Sequence, residues 1–279
     1  MQKESDYIYL LNIFANVLEA NKGTPAGNDD RILDAEGLAG KCFFHTSSLL
    51  YLLRSTNIPE LGFSFFDPGS INVIARAALE SFLIFHYVFV EPDTKEEKDF
   101  RYLSWELADL MERQKYDALS PQGKIKQHKE KELITIIKSK ISENPFFDQI
   151  KPKQQNALLK QGKWRPKGWT KIGISAGLSE EHAKSCYRFL CSYAHAGSMS
   201  VLQIRQAKSA EQQKALCGAT MGLAMITMAY FVKSYCTLFE KSKLFLDQNE
   251  EFSNYIKMWV EIGSTALKDV DVDWEKLSF

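Results

Sequence analysis

Apolar residues recur along most of this chain at intervals of three and four positions, the spacing that lines one face of an α-helix. The pattern covers about Asp6–Ala20, about Leu38–Ser55 and roughly Pro68–Val90, and it recurs in the second half of the chain. Strict alternation of apolar and polar residues is nearly absent, and no Asn-Gly or Asp-Gly hairpin turn occurs. The pattern therefore predicts an all-α fold with no convincing strand.

Polar residues mark the start of several predicted helices. Asp67 stands before Pro68, Thr94 stands before a charged segment, and Ser179 stands before two acidic residues. The side-chain oxygen of such a residue accepts a hydrogen bond from an unpaired N–H of the first turn. Proline suits the first helical position, and acidic residues there interact favourably with the helix dipole. We therefore expect helices to begin at these three points.

The second half of the chain contains the longest apolar segment. The stretch Gly197–Ser209 is typical of a polar linker, and a long apolar helix is predicted over about Ala210–Phe239. A last helix is predicted over about Asn249–Leu267. Together with the earlier segments, these predict a bundle of about seven to nine helices.

We predict a single all-helical domain over residues 1–279, with its core at about 38–240. The segment 120–145 is rich in lysine and glutamate and carries only a narrow apolar stripe. It is expected to form one charged helix that projects from the bundle or lies along it. Residues 268–279 are expected to form a tail. A chain of 279 residues, 45% of them hydrophobic, is long enough to bury a core without disulfides or metals.

Composition sets few limits on the partner. Lys+Arg and Asp+Glu balance at 35 each, so any contact with nucleic acid must come from a local patch. The cysteines are odd in number and form no C-x-x-C pair, and the first residues hold no apolar signal segment. We therefore expect free thiols, no secretory signal and a cytoplasmic location. The uncharged run Ala215–Val232 is interpreted as a buried bundle helix, so no stable membrane insertion is expected.

The segment Tyr187–Gly197 carries the one arrangement that resembles catalytic chemistry. Arg188 and His195 lie seven positions apart, which returns almost to the same face of a helix. A ribose 2′-hydroxyl can attack its own phosphodiester without a metal when a histidine acts as general base and an arginine stabilises the developing charge. The alternative is a surface arginine and a histidine that bonds to a nearby carbonyl or caps its helix.

Two charges inside an apolar helix form a second candidate. Arg76 and Glu80 stand four positions apart and can pair on one face. They form either an internal ion pair that orients the helix or a functional pair. In the functional interpretation, Glu80 positions the ring of His195, and Arg76 is a second cation that faces phosphate.

The stretch Lys160–Lys171 interleaves basic residues with two tryptophans. Because charge follows a nucleic-acid backbone and rings stack on unpaired bases, Lys163, Trp164, Arg165 and Lys167 are candidate substrate-binding residues. The alternative is a solvated loop that its tryptophans pin to the bundle. No spacing of His, Cys, Asp or Glu is typical of a metal site, and no glycine motif for a nucleotide cofactor occurs. We expect no metal and no cofactor.

The all-α pattern together with Arg188 and His195 resembles the HEPN superfamily (higher eukaryotes and prokaryotes nucleotide-binding domains). Its ribonuclease members carry an arginine, four to six further residues and a histidine late in a helical bundle. The resemblance implies a ribonuclease-like site at these two residues, usually completed across a homodimer. Active members often have a polar residue directly after the arginine, whereas this chain has Phe189. A relative that binds without cleaving is therefore the alternative.

Three motifs more narrowly resemble a bacterial family of unknown function, of the DUF5677 type, over about residues 40–235. They are Ala75–Ser81 (ARAALES), Trp169-Thr170-Lys171 followed by Ser175 and Gly177-Leu178, and Tyr187 with Ser192 and His195. This narrower resemblance implies no particular activity.

The leading hypothesis is a HEPN-like protein directed at RNA, acting as a metal-independent endoribonuclease in a defence or toxin system. The candidate catalytic residues are Arg188, His195 and Glu80, and the candidate substrate-binding residues outside the basic stretch are Arg76, Tyr187 and Ser192. A homodimer is expected, and the sequence identifies no protein partner. The rival hypothesis is a non-catalytic helical module that binds a nucleotide, a nucleic acid or a protein, in which the same charges form a buried polar network.

Overall fold

The structure is a computed structural model that describes residues 4–27, 29–195 and 197–265. Within these ranges the α-helices are α1 (Glu4–Asn21), α2 (Arg31–Leu53), α3 (Pro68–Phe85), α4 (Lys95–Arg113), α5 (Pro121–Ser142), α6 (Pro152–Gln161), α7 (Trp169–Ser175), α8 (Glu180–Ala194), α9 (Ser198–Gln206), α10 (Ala210–Leu238), α11 (Glu240–Gln248) and α12 (Glu250–Ser264). The strands are β1 (Thr56–Ile58) and β2 (Phe63–Phe65). Two 3₁₀ turns, Pro59–Leu61 and Phe147–Gln149, and a π-helical turn, His86–Val90, complete the elements.

The all-α prediction is confirmed, but the predicted number of seven to nine helices is wrong, since twelve α-helices lie in the described ranges. One reason is that the expected linker after Gly197 contains α9. The hydroxyl of Ser200 donates to the carbonyls of Gly197 (2.7 Å) and Ser192 (3.2 Å), which holds the first turn of α9 against the end of α8. Another reason is that the chain leaves the helical conformation at Phe239 and again at Asn249, which separates α10, α11 and α12.

The expectation of no strand is also wrong, because the chain forms one short hairpin. β1 and β2 pair antiparallel, with Thr56 opposite Phe65 and Ile58 opposite Phe63. Each strand has only three residues, too few to show a period of two in the sequence. The turn between them ends at Gly62 with φ 67°, a conformation that glycine adopts without strain.

All three predicted helix starts are confirmed. The side chains of Asp67, Thr94 and Ser179 each accept a hydrogen bond of 3.0 to 3.1 Å from the backbone N–H three residues further on. Each bond satisfies an N–H group that has no partner within its own helix. Local sequence therefore sets where α3, α4 and α8 begin.

Internal contacts group the chain into two compact units. The first comprises Met1–His86 and Trp169–Phe279, and the second is Tyr87–Gly168. The single domain over residues 1–279 stays a prediction. The tail expected at 268–279 lies outside the described residues.

In the first unit, α3 packs against α2, α8 and α10. Its core face holds Phe82 and Phe85, whose rings lie 6.2 and 4.6 Å from the ring of Phe231 in α10. A buried hydrogen bond joins the same two helices, because the Thr220 hydroxyl donates to Oδ1 of Asn72 (2.8 Å). Packing on three sides therefore fixes the position of α3 and of the side chains that it presents to α8.

In the second unit, α4, α5 and α6 enclose a separate apolar cluster. α5 is the charged helix expected at 120–145, and its Ile137 and Ile141 are buried in this cluster. The buried guanidinium of Arg101 pairs with Glu91 at 2.5 Å. A partner of this kind is needed because an unpaired buried charge is strongly destabilising.

Among the described residues, two helices are long and apolar enough to cross a membrane by length and composition, Pro68–Val90 and Ala210–Leu238. The second contains the uncharged run Ala215–Val232. Of the apolar windows, 56% and 61% are buried within the protein, and a buried core helix meets the same criterion. The cytoplasmic location and the absence of stable membrane insertion stay predictions.

The hydrogen bond between α10 and α3 can be tested with two matched substitutions. Thr220 and Thr227 are both buried in α10, but the Thr227 hydroxyl donates within its own helix. Thr220→Val leaves the buried Asn72 Oδ1 without its donor and should lower the free energy of unfolding by about 1–3 kcal/mol. Thr227→Val should lower it by less than about 1 kcal/mol. Urea denaturation followed by circular dichroism measures both, and equal losses would contradict the role of the bond between helices.

Candidate functional site

Two helices of the first unit bring predicted polar residues together. Tyr187 and Cys191 lie on α8 and His195 directly follows it, and their spacing of four residues places all three on one stripe. This stripe meets α3 where Arg76 and Glu80 lie one turn apart. We call Arg76, Glu80, Tyr187 and His195 the polar cluster.

Arg76 is the centre of the polar cluster. Its Nε donates to the Glu80 carboxylate (3.0 Å), and its Nη2 donates to the Tyr187 hydroxyl (3.4 Å). Its Nη1 lies 3.1 Å from Nε2 of His195. The Tyr187 hydroxyl donates in turn to Glu80 (3.2 Å), which closes a ring of hydrogen bonds. The side chains of Arg76 and Glu80 are 20% and 29% exposed and His195 is exposed, so the cluster is open to solvent at its His195 end.

The contact between Arg76 and His195 defines the protonation state of the imidazole. A guanidinium carries only N–H donors and cannot accept a hydrogen bond. Nε2 of His195 must therefore present its lone pair to Arg76, and the proton of the neutral ring lies on Nδ1. A hydrogen bond between the two groups therefore requires the tautomer of His195 whose proton is on Nδ1.

Burial and charge act in opposite directions on Arg76. Burial alone lowers the pKa of Arg76, but the charge of Glu80, aided by Tyr187, outweighs it and the net shift is upward. Burial also raises the pKa of Tyr187 to about 12, with a hydrogen bond to Cys191 and the charge of Glu80 acting in the same direction. Arg76 therefore stays charged and Tyr187 stays protonated at neutral pH.

Arg188 does not join the polar cluster. Its side chain is exposed, and within the described part of the chain it makes no hydrogen bond or ion pair. It follows Tyr187 in α8 and so lies about 100° round the helix from the side chain whose hydroxyl bonds to Arg76 and Glu80. The cation in contact with His195 is Arg76, which the sequence indicated as a second cation. A catalytic role for Arg188 stays a prediction.

Ser192 contributes to the site through its backbone. Its carbonyl accepts hydrogen bonds from the N–H of Gly197 (2.7 Å) and from the Ser200 hydroxyl (3.2 Å). A Cβ at Gly197 would lie 2.8 Å from Oγ of Ser192 and 3.1 Å from its carbonyl oxygen, closer than side chains normally approach. Glycine therefore permits the tight turn that follows His195, whereas substrate binding by Ser192 stays a prediction.

The start of α8 is anchored to α12. The N–H of Ser179 donates to the carbonyl of Gly263 (3.0 Å), and Nδ1 of His182 lies 3.2 Å from the carbonyl of Thr265. Burial lowers the pKa of His182, although the hydrogen bond to Thr265 and the charge of Glu181 oppose the shift. These contacts fix the start of α8. This helix carries Tyr187 of the polar cluster, and His195 directly follows its other end.

A small, mainly apolar cavity of about 20 Å³ lies between α3, α8 and α10. Its lining includes Ala75, Leu79 and Cys186, the sequence neighbours of three residues of the polar cluster. The cavity has room for about one water molecule and does not suit an organic ligand. A ligand of the polar cluster must therefore approach from the exposed side.

The candidate residues of the basic stretch lie in the second unit, whereas the polar cluster lies in the first. Trp164 packs against the apolar cluster of the second unit, and its ring is 5.6 Å from a tyrosine ring. The Arg165 guanidinium donates to the carbonyl of Lys167 (3.1 Å), and the Lys167 ammonium pairs with Glu91 (2.7 Å). Trp164 therefore contributes to the packing of this unit. Lys163 is exposed, and RNA binding by these four residues stays a prediction.

Cys191 is the residue of the site that the sequence-based prediction missed. It lies on the α8 stripe between Tyr187 and His195, and it contributes to the raised pKa of Tyr187. The spacing of four residues on either side is the signal that could have found it.

In the described ranges, the five cysteines are unpaired, and no group of three or more His, Cys, Asp or Glu residues could hold a metal ion.

The fold and the polar cluster define an all-α protein with a solvent-accessible arginine–histidine site. The chain belongs to a family of unknown function, DUF5677, whose family model matches residues 37–212. This confirms the narrower of the two resemblances, and the match includes all four residues of the polar cluster. No curated protein and no solved structure matches the chain.

The tautomer of His195 is directly measurable. Long-range ¹H–¹⁵N NMR correlations, recorded where the ring is neutral, should show the proton on Nδ1 and a lone pair on Nε2. Arg76→Ala removes the donor and should shift the ring toward a mixture of tautomers, whereas Arg188→Ala should leave the spectrum of His195 unchanged. A proton on Nε2 in the wild-type protein would be incompatible with the contact.

The burial of His182 predicts how stability depends on pH. Because its pKa in the folded protein lies below the ordinary value of 6.5, the unfolded chain accepts a proton that the folded protein resists. The stabilising contribution is therefore present above about pH 6.5 and is lost as the pH falls below it. Between about pH 7 and pH 5, the free energy of unfolding should fall less steeply in His182→Gln than in the wild type.

His128→Gln is the matched control, since it also replaces a histidine with glutamine, at an exposed position of α5. Urea denaturation at each pH gives the slopes. The same slope in His182→Gln and the wild type would show that His182 is not the titrating group.

Proposed function

We propose that this protein acts on RNA as a HEPN-like, metal-independent endoribonuclease, with the polar cluster as its active site. The observation that supports this most is the exposed imidazole of His195 in contact with the guanidinium of Arg76. A neutral histidine serves as a general base near neutral pH. The guanidinium of an arginine can donate two parallel hydrogen bonds to two oxygens of a phosphate. These are the two groups that cleavage by a ribose 2′-hydroxyl requires.

In the proposed reaction, the Arg76 guanidinium turns from Nε2 of His195 to the phosphate. The freed Nε2 takes the proton of a ribose 2′-hydroxyl, and the oxygen attacks the adjacent phosphorus. The bond between phosphorus and the 5′ oxygen breaks, and the imidazolium returns its proton to that oxygen. The products are a 2′,3′-cyclic phosphate and a 5′-hydroxyl. Arg76 stabilises the charge on the non-bridging oxygens. Arg188, exposed and unpaired within the described residues, contacts the same RNA strand.

Glu80 and Tyr187 act as positioning residues in this proposal. Glu80 binds Nε of Arg76, and the Tyr187 hydroxyl bonds to both residues, so together they hold the guanidinium toward His195. The catalytic role expected for Glu80 therefore acts through Arg76 and not through direct contact with the reacting atoms.

The superfamily resemblance extends the proposal to assembly and biological role. Ribonucleases of the HEPN superfamily usually complete their sites across a homodimer, and we propose a cytoplasmic homodimer that acts in a defence or toxin system. The exposure of Arg188 and His195 is compatible with a second copy at this end of α8. The exposed Lys163, with Arg165 and Lys167, would follow the RNA backbone by charge.

A non-catalytic module that binds a nucleotide, a nucleic acid or a protein is the second candidate. Arg76, Glu80 and Tyr187 satisfy one another's hydrogen bonds, as in a network that fixes helix register. Phe189 also stands where active members of the superfamily often have a polar residue. Its half-buried ring contacts the ring of Tyr193 at 5.4 Å, which is a packing role.

Cleavage of RNA in the presence of EDTA tests the proposed activity. The wild-type protein should release 2′,3′-cyclic phosphate ends from labelled RNAs of varied sequence. His195→Ala should lower the rate by about 10²- to 10⁴-fold, because it removes the general base. Arg76→Ala should lower it by about 10²- to 10³-fold, because it removes a donor to the developing charge.

Arg54→Ala is the matched control, because Arg54 is also ion-paired, with Glu4 at 2.7 Å, but lies outside the polar cluster. It should cleave at the wild-type rate, and circular dichroism should show the same helix content for all variants. If no tested RNA is cleaved in a manner that depends on His195, at any pH, the catalytic proposal is wrong and the binding module is favoured.

A further inference from the structure

We propose that Arg76 and His195 form a binding site for a phosphate group, and that the phosphate binds together with a proton on His195. The proposal rests on the polar cluster that carries the proposed ribonuclease activity, but it does not require cleavage, which starts from the complex in which His195 is neutral. It names a ligand class, a phosphodiester or a phosphate monoester, and a condition for binding.

Arg76 has hydrogen-bonding capacity left for an anion. A guanidinium has five N–H groups, and the hydrogen bonds within the described residues use three of them, to Glu80, Tyr187 and His195. One N–H group on Nη1 and one on Nη2 remain. Two such groups on one guanidinium suit two oxygens of a phosphate.

The net charge of the resting cluster disfavours an anion. The charge of Arg76 is balanced by Glu80 at 3.0 Å, and Tyr187 contributes none because its hydroxyl stays protonated. His195 is neutral while its Nε2 accepts from Arg76. Adding one proton to His195 gives the cluster a single positive charge, which matches the single negative charge of a phosphodiester.

The geometry couples the proton to the phosphate. A proton on Nε2 of His195 removes the hydrogen bond from Arg76 and places two cations 3.1 Å apart, which is unfavourable. A phosphate oxygen that accepts from both groups removes this repulsion. Each of the two, proton and phosphate, therefore strengthens the binding of the other.

Few other charged or titratable groups surround the imidazole. Among the described helices packed at this end, α3 presents Arg76 and Glu80, α8 presents Tyr187 and Cys191 beside the exposed Arg188, and α9 carries Arg205 as its one charged residue. His195 is therefore the imidazole of this set.

Probes that cannot react separate phosphate binding from cleavage. Sulfate does not titrate near neutral pH, so any proton taken up comes to the protein, and a 2′-O-methylated oligoribonucleotide presents phosphodiesters without the attacking hydroxyl. Isothermal titration calorimetry in two buffers with different heats of ionisation measures affinity and proton uptake. From about pH 8 to about pH 6, wild-type affinity should rise by up to about tenfold per pH unit, with uptake of up to about one proton per anion.

The two probes distinguish two sources of the phosphate. Proton-coupled binding of sulfate alone assigns the site to small phosphate compounds. Proton-coupled binding of both probes assigns it to phosphates within RNA. Both results support the proposal.

Glu80→Gln gives the sharpest test, because the two possible roles of Glu80 predict opposite changes in the affinity for sulfate. One role is to balance the charge of Arg76, and the other is to hold its guanidinium in place. Without the carboxylate, the cluster is cationic before any proton is added, so sulfate should bind about three- to tenfold more tightly than in the wild type at about pH 8, with a weaker pH dependence. If Glu80 only held Arg76 in place, its loss would weaken binding.

Three further variants test the other residues. His195→Gln should bind sulfate weakly and without proton uptake, and Arg76→Ala should not bind it measurably. Arg54→Ala should match the wild type.

A sulfate affinity that is independent of pH, or weaker binding in Glu80→Gln, would overturn the proposal. If the probes bind with proton uptake and native RNA is not cleaved, the ribonuclease proposal fails and the phosphate site stands. If native RNA is cleaved in a manner that depends on His195 but no probe binds with proton uptake, the phosphate proposal fails and the ribonuclease stands. Circular dichroism of every variant confirms that each is folded.

Discussion

The packing of α3 on three sides is the constraint on which the candidate site depends. α2, α8 and α10 cover this helix, Phe82 and Phe85 anchor it to α10, and the buried Asn72 is held by Thr220. With the helix fixed by apolar contacts, the turn that bears Arg76 and Glu80 is presented to α8 in one orientation. An ion pair there adds little stability, since its side chains are partly exposed and solvent screens it. The effect of the ion pair is to orient the guanidinium of Arg76 and the carboxylate of Glu80.

The guanidinium of Arg76 determines which hydrogen bonds and which charges the polar cluster can have. Because it can only donate, its contact with His195 requires a neutral imidazole with a lone pair on Nε2. Because Glu80 balances its charge, the cluster is neutral at rest although it contains a permanent cation. In the two proposals, the same four side chains supply a base, a phosphate-binding cation and a proton-dependent charge.

The parts of the fold that the sequence predicted well are those set by neighbours in the chain. Helix periodicity and the capping residues Asp67, Thr94 and Ser179 act over one or two turns, so local sequence is sufficient for them. α9 was missed because its first turn depends on the bonds of Ser200 to the end of α8. The hairpin was missed because its strands have three residues each, which is shorter than the pattern that identifies a strand.

Local sequence was sufficient for the all-α class, for the starts of three helices and for the residue types capable of chemistry, because each of these depends on side-chain identity and short spacings. It also predicted that Arg188 and His195 share one face of a helix, whereas in the structure His195 directly follows α8. Packing between helices was needed to find the cation that contacts the imidazole. That cation is Arg76, 119 positions away in the chain. Which faces of α3 and α8 meet depends on the shapes of buried side chains throughout the first unit, and no pattern within one helix contains that information.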